Sequence, residues 1–251
     1  MLPPPPQITN CNISSSEKGI WVSNLPGLLI QGNIITNTAC GIYLSNVTDA
    51  QITGNIIQSN REELQGIILL SSSGVVRANY ISGHTVGIHL ANSSPILGSN
   101  RITSNKYHGL YIGDGSIPYM RQGQWLGRPP NMYATSGYNK IYENGGYEGE
   151  DNDGSEIYFV NSNAEMSKGC NSIYDNRDPS PPLINTYLLM NCPAEGNQIY
   201  LDARMNYWGD RVDPDRFGNL SVEYIPYSET PCPEPDDPAA GEFVRMTSFG
   251  N

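Results

Sequence analysis

Charge is scarce in this sequence, and basic charge is scarcer still. Only 16% of its 251 residues are charged, and 25 acids face 14 bases for a net charge of −11. A chain of that sign repels phosphate backbones and anionic bilayers, so nucleic acid and acidic membrane surfaces are poor partners. A cation such as Ca²⁺, or a neutral sugar, suits it better. Long apolar runs are missing too. No stretch of about 18 apolar residues occurs, which argues against a membrane-spanning helix. The opening "MLPPPPQ" has neither the basic segment nor the apolar core of a signal peptide. Cysteine is sparse: Cys11, Cys40, Cys170, Cys192 and Cys232 contain no C-x-x-C pair. That argues against zinc, and the odd number rules out a complete intrachain disulfide set. Burial as small hydrophobes is the expected fate.

What is present is Asn, Ser and Gly, which favour turns, together with Ile and Tyr, which favour strands. They recur in order. "GNIITNTACGIYLSN", "GNIIQSNREELQGIILLSS" and "ANYISGHTVGIHLANSS" are one phrase written three times. Aligned on the Asn before x-Ile, the phrase places Asn33, Asn55, Asn79, Asn100, Asn139, Asn171 and Asn197 in one column. Ile35, Ile57, Ile81, Ile102, Ile141, Ile173 and Ile199 follow two residues on. A second Asn often follows after five: Asn60, Asn105, Asn144 and Asn176. Then come Gly and an alternating segment, "GIWV", "GIYL", "GIIL", "GIHL" or "GLYI", with weaker forms in "EIYFV" and "TYLLM".

The period is too short for a strand plus a crossover helix. It fits a solenoid of parallel strands, one coil per repeat, stacked at about 4.8 Å. Ile then fills a narrow core. Gly is expected to supply a backbone angle that a Cβ would resist. Asn is expected both to tolerate left-handed turns and to bond to its copies along the rod as an amide ladder.

The motif "ItgNxIxxN…GIxLxxs" resembles the repeat of right-handed parallel β-helix proteins of the pectate-lyase-like superfamily, over about residues 6 to 205. "LDARMNYWGDRVDP…VEYIPY" is similar to the segment that closes secreted bacterial β-helix proteins, with Trp208 plugging the last coil. The resemblance implies an all-β, single-domain, right-handed parallel β-helix over residues 6–228, including a closing segment at 206–228. A Pro-rich acidic tail or linker occupies 229–251. It implies an extracellular or cell-surface location, and a tail of this kind leads to a sorting module in the resembled proteins. "PPPPQITNCNI" enters the repeat with no capping helix, as expected if further coils precede Met1 in the full form; the alternative is that Pro3 to Pro6 blunt the open edge. Insertions interrupt the coils at "REELQ", between Gly113 and Gly137, between Gly145 and Glu156, and near "RDPSPPLIN".

Two surfaces carry candidate chemistry. Alternation places Trp21, Tyr43, Ile68, His89, Tyr111 and Tyr158 outward, one per coil. Such an aromatic stripe suits the C–H faces of a linear polysaccharide or cell-surface glycan. The same residues are also what parallel β faces favour for their own sake. With Trp125 and Arg121 from the long insertion, they form the expected substrate-binding set. At one corner, Glu63, His84, Lys106 and His108 fall on successive turns, the raw material for proton abstraction from a sugar ring. Arg121, Arg128 or Ca²⁺ would balance the developing charge. Polar turns of this kind also occur without any role. "DNDGSE" offers Asp151, Asp153 and Glu156 as a Ca²⁺ candidate set, although the third acid and distant Glu of a full loop are missing.

The signatures of polygalacturonases, alginate epimerases and pectate lyases are absent. Copper-delivery proteins share this repeat, but no His/Met cluster argues for copper here. The expectation is a polysaccharide-contacting protein with a binding or structural role. The alternative is a polysaccharide lyase or glycoside hydrolase acting on an acidic or neutral polymer.

Overall fold

The computed structural model describes residues 4–60, 65–121, 136–145, 154–175, 177, 187–192, 199–209, 214–217, 220–224 and 227. These form a right-handed parallel β-helix of about seven coils. Each complete coil contributes a strand to each of three sheets. Sheet A stacks Gln7–Thr9, Leu29–Gln31, Ala50–Thr53, Gly74–Arg77 and Ile96–Gly98. It is continued by parallel bridges from Ile96 to Tyr119 and from Tyr119 to Glu165. Sheet B stacks Asn12–Ser14, Ile34–Thr36, Ile56–Gln58, Tyr80–Ser82, Arg101–Thr103, Lys140–Tyr142 and Ser172–Tyr174. Sheet C stacks Lys18–Ser23, Cys40–Ser45, Gln65–Leu70, Val86–Ala91, His108–Gly113, Ser155–Val160 and Tyr187–Cys192. Seven strands at the usual spacing give a rod of about 30 Å.

The core is a set of columns. Ile35, Ile57, Ile81, Ile102, Ile141 and Ile173 pair in register along sheet B and are all buried. Ile42, Ile67, Ile88, Leu110, Ile157 and Leu189 do the same in sheet C. Each such side chain contributes about 1.5–3 kcal/mol by leaving water.

Polar ladders tie the corners. Asn33, Asn55, Asn79, Asn100, Asn139, Asn171 and Asn206 form one between sheets A and B. Each residue before the last donates its backbone N–H and its Nδ2 to the next Oδ1 at 2.9–3.1 Å. Sequence alignment put Asn197 in the seventh place. The structure puts Asn206 there, and Asn197 lies outside the described residues. The last rung therefore belongs to the closing segment, two residues before buried Trp208, whose ring meets Phe217 edge-on at 5.1 Å. A serine ladder, Ser72, Ser93 and Ser116, serves the corner between sheets C and A.

The two expectations about turn residues divide. Asn10, Asn24, Asn37, Asn46, Asn92 and Asn161 are left-handed, whereas the ladder asparagines are not. The positive φ falls one residue earlier, at Gly32, Gly54, Ala78, Ser99, Tyr138 and Cys170. The glycines of "GIxL" have no positive φ either; they are glycines for lack of room. A Cβ on Gly87 would lie 2.5 Å from Ile102, 2.6 Å from the Gly109 carbonyl and 2.9 Å from the Asn105 amide.

The insertion expected from Gly113 is shorter than drawn. Ser116 joins the serine ladder, Tyr119 bridges into sheet A and Met120 is in the core. Cysteine use is mixed. Cys11 and Cys40 are free, the first exposed and the second buried with its thiol raised to about 11 by burial. Cys170 is disulfide-bonded rather than a free buried thiol.

Candidate functional site

The outer face of sheet C carries the stripe in perfect register. Trp21 pairs with Tyr43, Tyr43 with Ile68, Ile68 with His89, His89 with Tyr111, Tyr111 with Tyr158, and Tyr158 with Met190. Parallel pairing without slip follows from the buried Ile and Leu on either side, because a one-residue shift would turn them outward.

The rings touch. Trp21 and Tyr43 lie 4.8 Å apart, His89 and Tyr111 4.5 Å, and Tyr111 and Tyr158 5.5 Å. Lys18 places its ammonium 3.1 Å from the centre of the Trp21 ring, and Trp21 is 50% exposed. Ile68 interrupts the aromatics between Tyr43 and His89. The track is thus two aromatic segments on one line.

The polar corner is not assembled as its sequence positions suggest. His84 was expected at a solvent-facing turn, but it is only 1% exposed. Its backbone N–H donates to Asn105 at 3.1 Å, so it holds a place in a second ladder, between sheets B and C. That ladder runs on through Asn144 to Glu156. Neither ring nitrogen of His84 has a partner among the described residues, and burial lowers its pKa to about 4.

His108 goes the other way. It joins the outer face, stacked on Tyr158 at 4.5 Å, with Nδ1 3.0 Å from the Ser155 hydroxyl. Burial lowers its pKa to about 4. Burial also lowers His89, opposed by the Asp114 carboxylate. Lys106 stands over the exposed ring of Tyr107 at 5.6 Å. Glu63 lies outside the described residues.

Glu156, offered by the sequence as a Ca²⁺ ligand in the acidic insertion, is in a sheet C strand and fully buried. Its two oxygens accept from the backbone and side-chain amides of Asn144. Burial pushes its carboxyl well above the usual range. Asp151, Asp153 and Trp125 lie outside the described residues. Arg121 is exposed at the corner between sheets A and B, 3.3 Å from Glu165, so the structure does not bring it to the track on sheet C.

Sequence reading missed a second cluster, on sheet B. Tyr80, Arg101 and Lys140 are successive partners in one outward column, and Tyr142 and Tyr174 are partners in the next. The signal was there in "YIS", "RIT", "KIY" and "SIY", the residues flanking the aligned isoleucines.

These features define a parallel β-helix repeat protein with aromatic residues displayed along one outer face. The chain belongs to the family described as NosD, periplasmic copper-binding protein, whose model matches residues 6–145. No curated protein and no solved structure matches the chain.

Copper favours thiolate, thioether and imidazole donors held together. Among the described residues no three His, Cys, Asp or Glu side chains converge. His84 is inside the rod while His108 is on its outer face, and Cys40 is buried with a raised thiol pKa. The described histidines, cysteines and carboxylates therefore do not fit a copper centre. Among them, too, no helix is long and apolar enough to cross a membrane.

Proposed function

We propose that this protein works in the periplasm or outside the cell, and that it holds a polysaccharide or cell-surface glycan along the outer face of sheet C. The role is binding or structural. The carrying observation is the register of Trp21, Tyr43, His89, Tyr111 and Tyr158, which aligns aromatic faces along the rod axis. A linear glycan presents C–H faces at regular intervals, and aromatic rings take them up by burying apolar area. The disulfide at Cys170 suits an oxidising compartment. So does membership of a family described as periplasmic.

Retention on a panel of insoluble plant, algal and bacterial polysaccharides tests the reading. At least one neutral polymer is expected to retain the wild type and to release the Tyr111→Ala variant. Ultraviolet-absorbing unsaturated products appearing with any polymer would replace the binding role by a lyase. Equal retention of both proteins on every polymer would remove the track.

A further inference from the structure

Sheet B carries a feature that an acidic chain has no structural need for. Arg101 and Lys140 are direct cross-strand partners on its outer face. Like charges in that position repel one another. The arrangement around Arg101 is built rather than incidental. Its Nε donates to the Tyr142 hydroxyl at 2.5 Å. Its guanidinium carbon lies 5.4 Å from the Tyr142 ring centre and 5.7 Å from that of Tyr80. Tyr142 is in turn stacked on Tyr174 at 5.1 Å, with ring planes 7° apart, and Tyr174 meets Tyr207 edge-on.

Arg101 is nonetheless exposed, and among the described residues it forms no ion pair. This is so although Glu143 directly follows Tyr142 in the chain and the protein carries 25 acids. The Nε edge of the guanidinium is thus fixed by tyrosine, on a residue that is itself exposed. That is a preformed fork for a planar or tetrahedral oxyanion.

We propose that the outer face of sheet B around Arg101 and Lys140 binds an anionic glycan, the Arg101 fork taking a carboxylate or sulfate group of the sugar chain. The tyrosines border the site with surfaces that suit sugar rings. The net charge of −11 opposes any polyanion at long range, so the attraction at this site is local to the Arg101 fork and short-ranged. This face is distinct from the sheet C track and does not require it.

Titration calorimetry with defined hexamers tests the site. The probes are an oligogalacturonate for carboxylate, a sulfated maltohexaose for sulfate, and unmodified maltohexaose as the neutral control. One or both anionic hexamers are expected to bind, more weakly as salt is raised. Arg101→Ala is expected to weaken that binding roughly 10- to 100-fold. Arg101→Lys is expected to weaken it as well, because charge without the fork is insufficient. Arg101→Gln, checked for an unchanged melting curve, gives the same reading should the alanine variant fail to fold. Tyr111→Ala is expected to leave anionic affinity intact. The proposal is overturned if neither anionic hexamer binds, if the neutral hexamer binds as tightly, or if the Arg101 variants bind like wild type. It is also overturned if Tyr111→Ala alone abolishes binding, or if a single-stranded DNA hexamer competes at equal affinity.

Discussion

The backbone N–H of Asn144 donates to Glu156 at 3.0 Å, and the Asn144 side-chain amide donates to the other oxygen of the same carboxylate. Glu156 occupies the strand position that Gly109 holds one coil earlier, and its side chain fills the place where a further ladder asparagine would stand. It ends the ladder by folding back into it. Asp175 and Arg177 stand beside this end with opposite electrostatic effects on it.

The first prediction concerns that terminus. A carboxyl whose folded pKa is raised stabilises the fold below its unfolded pKa, and the contribution is lost as pH rises through the folded value. Glu156 is raised well above 4.5. Glu156→Gln is therefore expected to gain on the wild type as pH rises from 4 to 8 in thermal unfolding. Glu156→Ala orphans the buried backbone N–H of Asn144, whose side-chain amide keeps the Ile102 and Tyr142 carbonyls, and is expected to cost about 1–3 kcal/mol. A Gln variant that lost ground with rising pH would mean that Glu156 is ionised at little cost in the folded protein.

The second concerns His84, which sits in the same ladder with an apolar-facing ring. Its folded pKa is about 4 against an ordinary 6.5. Above pH 6.5 both states are neutral there. As pH falls, the unfolded chain takes up the proton first, so stability declines between 6.5 and 4. The decline from this one group is roughly 3 kcal/mol. His108 shares the shift. His84→Asn, which can bond to Asn105 as the other rungs do, is expected to remove its own share of a slope to which His89 and His108 also contribute. Denaturant midpoints at several pH values would read it, and an unchanged slope would place the His84 ring in water.

These two residues also show what could be read before the structure and what could not. The isoleucine columns, the first Asn ladder and the outward aromatic register were legible because each depends on periodicity alone. His84 and Glu156 were not. Each breaks the local pattern, His where Asn is usual and Glu where Gly is usual, and a polar residue in a turn is by default assigned to solvent. Only the three-dimensional stacking reveals that the slot faces inward. Arg101, Tyr142 and Tyr174 were missed for another reason. The positions flanking the isoleucines of sheet B range from exposed Arg101 to buried Thr103, Tyr142 and Ser172, so no fixed alternation marks an outer face there.

The third prediction separates space from backbone angle at the repeated glycine. Gly87 has no positive φ, yet a Cβ there would approach three atoms within 2.5–2.9 Å. Gly87→Ala is therefore expected to destabilise by about 1–3 kcal/mol through overpacking. By contrast Ala78, which sits at φ 49°, is expected to gain stability on replacement by Gly. The gain should be about 1 kcal/mol, because left-handed backbone is costly for a residue with a Cβ. Chemical denaturation of the two single variants checks both signs at once.

The last prediction is a gain of function in the track. Ile68 is the register partner of both Tyr43 and His89, and it is the one aliphatic break between the aromatic segments. Its side chain is half-buried on the outer face, so a ring can be added without entering the core. Ile68→Tyr would join Trp21 and Tyr43 to His89, Tyr111 and Tyr158 in one continuous run. If a glycan lies along this face, the new ring adds a contact at a point the chain already passes over. An aromatic contact of this kind is worth about 0.5–1.5 kcal/mol. The Ile68→Tyr variant is thus expected to bind a retained neutral polymer roughly 2- to 12-fold more tightly. Tyr43→Ala placed in the same variant should cost more than it does in the wild type, because it cuts a longer run. Affinity electrophoresis against that polymer measures all three proteins side by side. Unchanged mobility of Ile68→Tyr, with its fold intact, would mean that the polymer does not pass over sheet C at this coil.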